Sequence, residues 1–116
     1  MKTVIRRYME GAAASAVFAM EKLGIDESCD KIIMSGGATG SCFWPQVIAD
    51  LCGKTVEVVN FSEFTAYGAA LFAKAAAEGM AAESMFSQWN KSRKYEPLNA
   101  SAYRQWYHGH QRAVME

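Results

Sequence analysis

Lys31-Ile32-Ile33-Met34-Ser35-Gly36-Gly37-Ala38-Thr39-Gly40 is the stretch that decides the fold. A short apolar run bounded by turn residues reads as a buried parallel strand over 31–35, and the glycines after it stop the strand in a turn. Residues 41–52 then read as a helix, with Pro45 near its first turn and Gly53 just past its end. A strand that ends in a glycine turn and feeds a helix directs several backbone N–H groups outward together. Such a turn attracts anions, and the absent side chains let a flat ligand lie against the backbone. Ser41 stands where it either caps the helix or bonds a ligand. The glycines at 36, 37 and 40 fit neither G-x-G-x-x-G nor the P-loop, since no Lys-Ser/Thr follows them. Taken alone, the turn reads equally well as purely structural.

Downstream, Thr55-Val56-Glu57-Val58-Val59 reads as a second strand. Ser62 is placed to cap a helix that carries Ala66, Ala69, Ala70, Phe72 and Ala73 and stops at Gly79. A shorter helix is expected over 81–89, then a polar, basic link over 91–97. Asn99 opens a last helix, in which Tyr103, Trp106, Tyr107, His110 and Val114 share a face. Upstream, Ile5, Tyr8 or Met9, Ala12, Ala16, Met20 and Leu23 recur at helical spacing up to Gly24, and Gly11-Ala12-Ala13-Ala14 is small enough to admit a close neighbour. The order α-β-α-β-α-α-α, without internal repeat, predicts an α/β fold of few parallel strands with packed helices and a carboxy-terminal helix.

The bulk properties exclude more than they propose. The chain of 116 residues suits one domain, its hydrophobic share is 51%, and 12 basic residues balance 12 acidic ones. A neutral chain offers no general attraction for nucleic acid or an acidic membrane surface. Lys2, Arg6 and Arg7 before the apolar stretch 12–20 mimic a secretory signal, but Glu10, Gly11 and the helical face through them argue against it. No stretch approaches the roughly 18 apolar residues of a membrane span. Cys29, Cys42 and Cys52 form no CxxC pair, so reduced thiols in a cytoplasmic protein are expected.

Other candidates carry less. Cys42 lies at a helix start, where a thiol pKa falls, yet no histidine is near it in sequence. His108 and His110 are two apart on a helix and do not face one metal. Trp89, Tyr95, Tyr103, Trp106 and Tyr107 beside Lys91, Arg93, Lys94 and Arg104 suggest base stacking, but a docking helix with a solvated link explains them with less.

Four ordered motifs resemble the FGGY carbohydrate kinases: Ile32-Ile33-Met34-Ser35-Gly36-Gly37-Ala38, Trp44-Pro45-Gln46-Val47-Ile48-Ala49-Asp50, Gly53-Lys54-Thr55-Val56, and Glu63-Phe64-Thr65-Ala66-Tyr67-Gly68-Ala69-Ala70. Arg7-Tyr8-Met9-Glu10-Gly11 resembles the family's helix before the adenosine strand. Tyr95-Glu96-Pro97 with Tyr103 and Tyr107 is more similar to the ends of pentulose kinases than of glycerol kinases. The resemblance implies a partial RNase H-like (actin-like ATPase) lobe spanning 1–116, with 1–79 as the ATPase-lobe core and 80–116 as a helical tail. Gly36 and Gly37 would then face the nucleotide, Ala38 would take the small position after them, and Ser41 the nearby polar one. Ser35 departs from the family in standing where a third glycine is common. Thr65, Gly68 and Ala69 match the helix packed behind the turn, where a structural role is expected because a helical glycine costs about 1 kcal/mol unless close packing uses it.

By the same resemblance the sugar contacts, the catalytic aspartate and the phosphate-binding turn belong to an upstream half. Asp26, Asp30 and Asp50 match no catalytic position, and Asp50 reads as a surface or capping group. No catalytic residue and no metal ligand is assigned. The expected function is the carboxy-terminal fragment of an ATP-dependent sugar kinase, contributing adenosine binding, inactive alone, with Mg²⁺ entering in the full-length enzyme and the sugar only through the missing half. The alternative is a non-catalytic nucleotide-binding or interaction module. A Rossmann piece is disfavoured because no acidic residue follows a G-x-G-x-x-G turn at ribose distance. With two strands against five helical segments, an open first-strand edge and exposed faces on the first and last helices are expected, so self-association follows.

Overall fold

In the computed structural model, residues 2–59, 63–85 and 91–115 are described. Helix α1 (Lys2–Lys22) and the short α2 (Ile25–Ser28) lead to strand β1 (Lys31–Met34), a 3-10 turn (Gly37–Gly40) and α3 (Phe43–Cys52). Strand β2 (Thr55–Val59), α4 (Phe64–Glu78), a second 3-10 turn (Ala82–Met85), β3 (Lys91–Tyr95) and α5 (Ala100–Met115) follow. The helix expected over 81–89 is a 3-10 turn where described, and its residues 86–89 lie outside the described residues, as does the Ser62 cap.

The sheet has the order β1-β2-β3. β1 and β2 are parallel, with Ile32 opposite Val56 and Met34 opposite Val58. β3 corrects the sequence reading: the basic segment expected as a link is a strand, antiparallel to β2, with Arg93 opposite Val58. Lys-Ser-Arg-Lys-Tyr shows no apolar alternation because it forms an edge, and charged side chains suit an edge.

The core lies on one side of this sheet. Ala13, Ala14 and Val17 of α1 meet Val47, Leu51 and Cys52 of α3 and Tyr107 of α5, with Ile32 of β1 packed against them. The close approach expected at 11–14 is therefore used, at Ala13 and Ala14. The face of α1 is corrected, however: Ile5, Tyr8 and Leu23 are exposed at 55%, 82% and 74%, whereas Glu10, Ala13, Ala14 and Val17 are buried. Small residues let α3 approach on the second face, and Glu10 is tolerated there because it is fully paired, as described below. The α5 face is corrected in the opposite sense, since Tyr107 is buried at 2% and Tyr103 and Trp106 pack on the core rather than facing solvent. The side chain of Val114 lies outside the described residues.

Asp50 is buried at 2%, and its Oδ1 accepts from the N–H groups of Leu98 (2.6 Å) and Asn99 (2.9 Å). It is a capping group, as read, but it caps the start of α5 from α3 and is not at the surface. Arg104 answers from α5 by donating Nη2 to the Cys52 carbonyl at the end of α3 (3.0 Å), a cation at a helix C-terminus. α4 packs mainly on the 3-10 turn that follows it, and a side chain at Gly68 would meet nothing within 4 Å, so the close packing expected of Gly68 is not present among the described residues.

Candidate functional site

The turn leaves β1 at the carboxyl end of the parallel pair, where open α/β sheets hold their ligands. Gly36 makes the exit, with φ 95° and ψ −173°, a conformation essentially restricted to glycine. Its carbonyl accepts twice from Thr39, from the backbone N–H (3.1 Å) and from Oγ1 (2.6 Å). Thr39 is thereby drawn inward and is 7% exposed. Gly37, Ala38, Gly40 and Ser41 are left exposed around it, with Gly36 half-buried. All four residues named from sequence, Gly36, Gly37, Ala38 and Ser41, thus lie on this one turn.

Ser41 takes the capping option: its Oγ accepts from Phe43 N–H (3.2 Å), and its own N–H donates to Ala38 O (3.4 Å). The hydroxyl proton remains for a ligand. A side chain built at Gly36, Gly37 or Gly40 would meet no atom of the described residues within 4 Å, so none of them obstructs the outer surface of the turn. Sequence reasoning missed what stands behind it. Thr39 anchors the turn from within, and Arg93 Nη2 donates to the Thr39 carbonyl across 54 residues at 2.6 Å. No signal in the sequence pairs these two, because Arg93 reaches the turn only once β3 has joined the sheet. Cys42 is exposed just past the turn.

A second polar cluster lies between α1 and α5. Glu10, whose side chain is 3% exposed, accepts from Arg6 Nε (3.0 Å), Arg7 Nη1 (2.9 Å) and the Tyr103 hydroxyl (2.9 Å). Burial alone would raise the Glu10 pKa, but donation from Arg6 and Tyr103 and the charges of Arg7 and Arg6 outweigh it and hold the carboxyl below its ordinary value. Arg7 also lies over the Trp106 ring, 5.8 Å from its centroid. These residues line a concavity of ≈ 480 Å³ with Thr3, Asn99 and Ala102. Arg6 and Glu10 bond the Tyr103 hydroxyl and Arg7 covers Trp106, so the cluster fastens α5 to α1. Further along, Tyr107 donates to Glu21 (2.7 Å), and burial followed by that bond pushes its hydroxyl pKa up.

Among the described residues no helix is long and apolar enough to cross a membrane. Residues 2–77 match the FGGY family of carbohydrate kinases, C-terminal domain. The autoinducer-2 kinase of Salmonella paratyphi B (strain ATCC BAA-1250 / SPB7) is 28% identical over 112 residues, which cover 89% of this chain and 21% of that protein. A xyloylose kinase from Brucella ovis superposes with a TM-score of 0.74 at 25% identity, over 92% of this chain and 24% of that one. A xylulose kinase from Rhodospirillum rubrum, at 19% identity, is a likeness of fold alone, with a TM-score of 0.70 over 92% of this chain and 23% of that one. The chain thus spans about a fifth of the length of the curated relatives it matches. An α/β arrangement of a short sheet, packed helices and a carboxy-terminal helix is what the sequence implied for a partial actin-like ATPase lobe, and that is the fold observed. The chain belongs to the FGGY family of carbohydrate kinases and carries that family's carboxy-terminal domain.

Proposed function

We propose that this chain contributes the adenosine-binding part of the ATP site of a cytoplasmic kinase acting on a sugar hydroxyl, a pentulose in particular, and that it is inactive alone. The observation that carries the reading is the Gly36–Ser41 turn: largely exposed, unobstructed by any side chain among the described residues, and tied down behind by Thr39. A planar base lies against the bare backbone at Gly36, Gly37 and Ala38, and the Ser41 hydroxyl meets a polar edge of the nucleoside. Phosphoryl transfer needs charge stabilisation and a carboxylate to receive the hydroxyl proton. The turn carries neither a carboxylate nor a lysine, so phosphate, Mg²⁺ and sugar contacts fall to the upstream half. The metal and ATP together supply the transferable phosphoryl group and the charge that balances it.

The pentulose preference is supported by the likeness to a xyloylose kinase and by the Tyr95-Glu96-Pro97 tail. The division into a 1–79 core and an 80–116 tail is part of the same reading, with the tail acting as the clasp. Self-association belongs to it too, on the strength of the exposed stripe Val4, Ile5 and Tyr8.

Half a site binds weakly, roughly at millimolar ATP or about −4 kcal/mol. In a titration with ATP followed by amide chemical shifts, saturable changes are expected at residues 36–41. ATP consumption with xylulose, ribulose, glycerol or gluconate is expected to stay at background. Sugar-dependent turnover by the pure 116-residue chain would overturn the fragment reading, and shifts elsewhere with 36–41 silent would overturn the placement of the nucleotide.

A further inference from the structure

Arg93 lies in a lateral row of the sheet. Met34, the last residue of β1, is opposite Val58, and Val58 is opposite Arg93, so the three side chains leave the sheet on one face. Ile32 and Val56, two residues back, share that face, and Ile32 packs on the helical core. The turn that follows Met34 folds back over the same face, which brings the Thr39 carbonyl within 2.6 Å of Arg93 Nη2. The pairing of β2 with β3 is irregular just beyond this point: Val59 faces Lys91 rather than Ser92. Such an extra residue bends a strand and re-aims side chains beside functional sites.

A glycine-rich turn has more backbone freedom to lose than any other segment, and a ligand that must order it binds more weakly. Two bonds from Thr39 to the Gly36 carbonyl close the turn on itself but leave its position over the sheet unspecified. The guanidinium supplies that position, through a charge-assisted bond from a strand whose register is set by main-chain pairing. Arg93 lies outside the residues that match the family, 2–77, whereas every residue it steadies lies inside them.

From this geometry we infer that Arg93 is a positioning residue for nucleotide binding: it holds the Gly36–Ser41 turn, through the Thr39 carbonyl, in the form that receives the adenosine group. The inference rests on the reading of that turn as the nucleotide site. Its partner chemistry is an adenine nucleoside phosphate, and its effect is on affinity rather than on a chemical step.

The test uses the full chain with Arg93→Met, which removes the donor from an exposed strand position, and Arg93→Lys, which keeps a cationic donor without the fork. Amide hydrogen exchange in the free protein reports the turn, and ADP titration reports the site. Arg93→Met should speed exchange at the Thr39 amide about tenfold and weaken the ADP response at residues 36–41 by a similar factor, with Val47 and Leu51 in α3 exchanging as before. Arg93→Lys should recover part of both. Unchanged Thr39 exchange in Arg93→Met, with normal ADP binding by the wild type, overturns the role of Arg93 alone. Faster exchange at Val47 and Leu51 to the same extent overturns it as well, since Arg93 would then support the fold and not the turn. Absence of any ADP response in the wild type, with Thr39 exchange still dependent on Arg93, overturns the nucleotide reading and this role with it.

Discussion

Gly36 and Gly37 are adjacent but differ in what a side chain would do to them. Gly36→Ala places a Cβ on a residue at φ 95° and ψ −173°, so a loss of about 1–3 kcal/mol is expected in urea unfolding although no described residue crowds it. Gly37 has no positive φ, and among the described residues a side chain there would meet no neighbour within 4 Å. Gly37→Val should therefore leave the unfolding midpoint within experimental scatter while abolishing the ATP-dependent shifts at 36–41, because the isopropyl group occupies the face the base would use. Glu10 makes a prediction in pH. Its folded carboxyl titrates below the 4.5 of the free side chain, so between the two values the unfolded chain binds more protons. The stability this carboxylate contributes is complete above about pH 4.5 and drains away as the pH falls through the folded value. Unfolding free energies measured in steps from neutral into the acid range should fall less steeply for Glu10→Gln than for the parent, with the variant about 2 kcal/mol weaker at pH 7.

At the scale of elements, α5 is held by groups distant in sequence: Asp50 caps it, Glu10 and Arg7 fasten its first turns, and Tyr107 enters the core. Asp50→Ala leaves the Leu98 and Asn99 N–H groups without their acceptor inside the protein, and should cost about 2 kcal/mol in urea unfolding. An unchanged unfolding midpoint with an unchanged helical far-UV signal would show that α5 is held without its cap. The elements themselves were largely legible. β1, β2, α3 and α4 lie within a residue or two of where apolar runs, Pro45, Gly53 and Gly79 put them. β3 was not, because an edge strand of Lys, Ser, Arg, Lys and Tyr carries no periodic signal, and only main-chain pairing with β2 makes it a strand.

At the scale of the whole molecule, the radius of gyration is 16.7 Å, against about 13 Å for a compact domain of this length. The chain extends over 52 × 30 × 23 Å and buries one side of its sheet well. Val4, Ile5, Tyr8, Met9 and Ala12 of α1 and Trp44 of α3 line an apolar groove of ≈ 490 Å³ on the outside. Monomers rarely leave such a stripe open, and a second copy laid across it in two-fold symmetry covers both stripes at once. Light scattering over a dilution series should show a mass that rises from one chain toward two, and Tyr8→Glu should keep the chain monomeric throughout. A wild-type mass of one chain at every concentration refutes the symmetric pair.

The order of strand, glycine turn and helix around residues 31–52 was determined by local chemistry, since a glycine pair after an apolar run ends a strand wherever it falls. The four turn residues and the family resemblance were legible for the same reason: the motif is contiguous. Tertiary structure decided what lies behind it. Which face of α1 is buried turned on Glu10: Arg6 and Arg7 stand at helical spacing from it, but its third partner is a tyrosine 93 residues away, which periodicity does not contain. The support of Thr39 by Arg93 depended on β3 pairing with β2, which brings the guanidinium across Val58 to the turn. Apolar spacing encodes a helix and its possible faces, but the face that is used is chosen by the neighbours able to satisfy its polar groups.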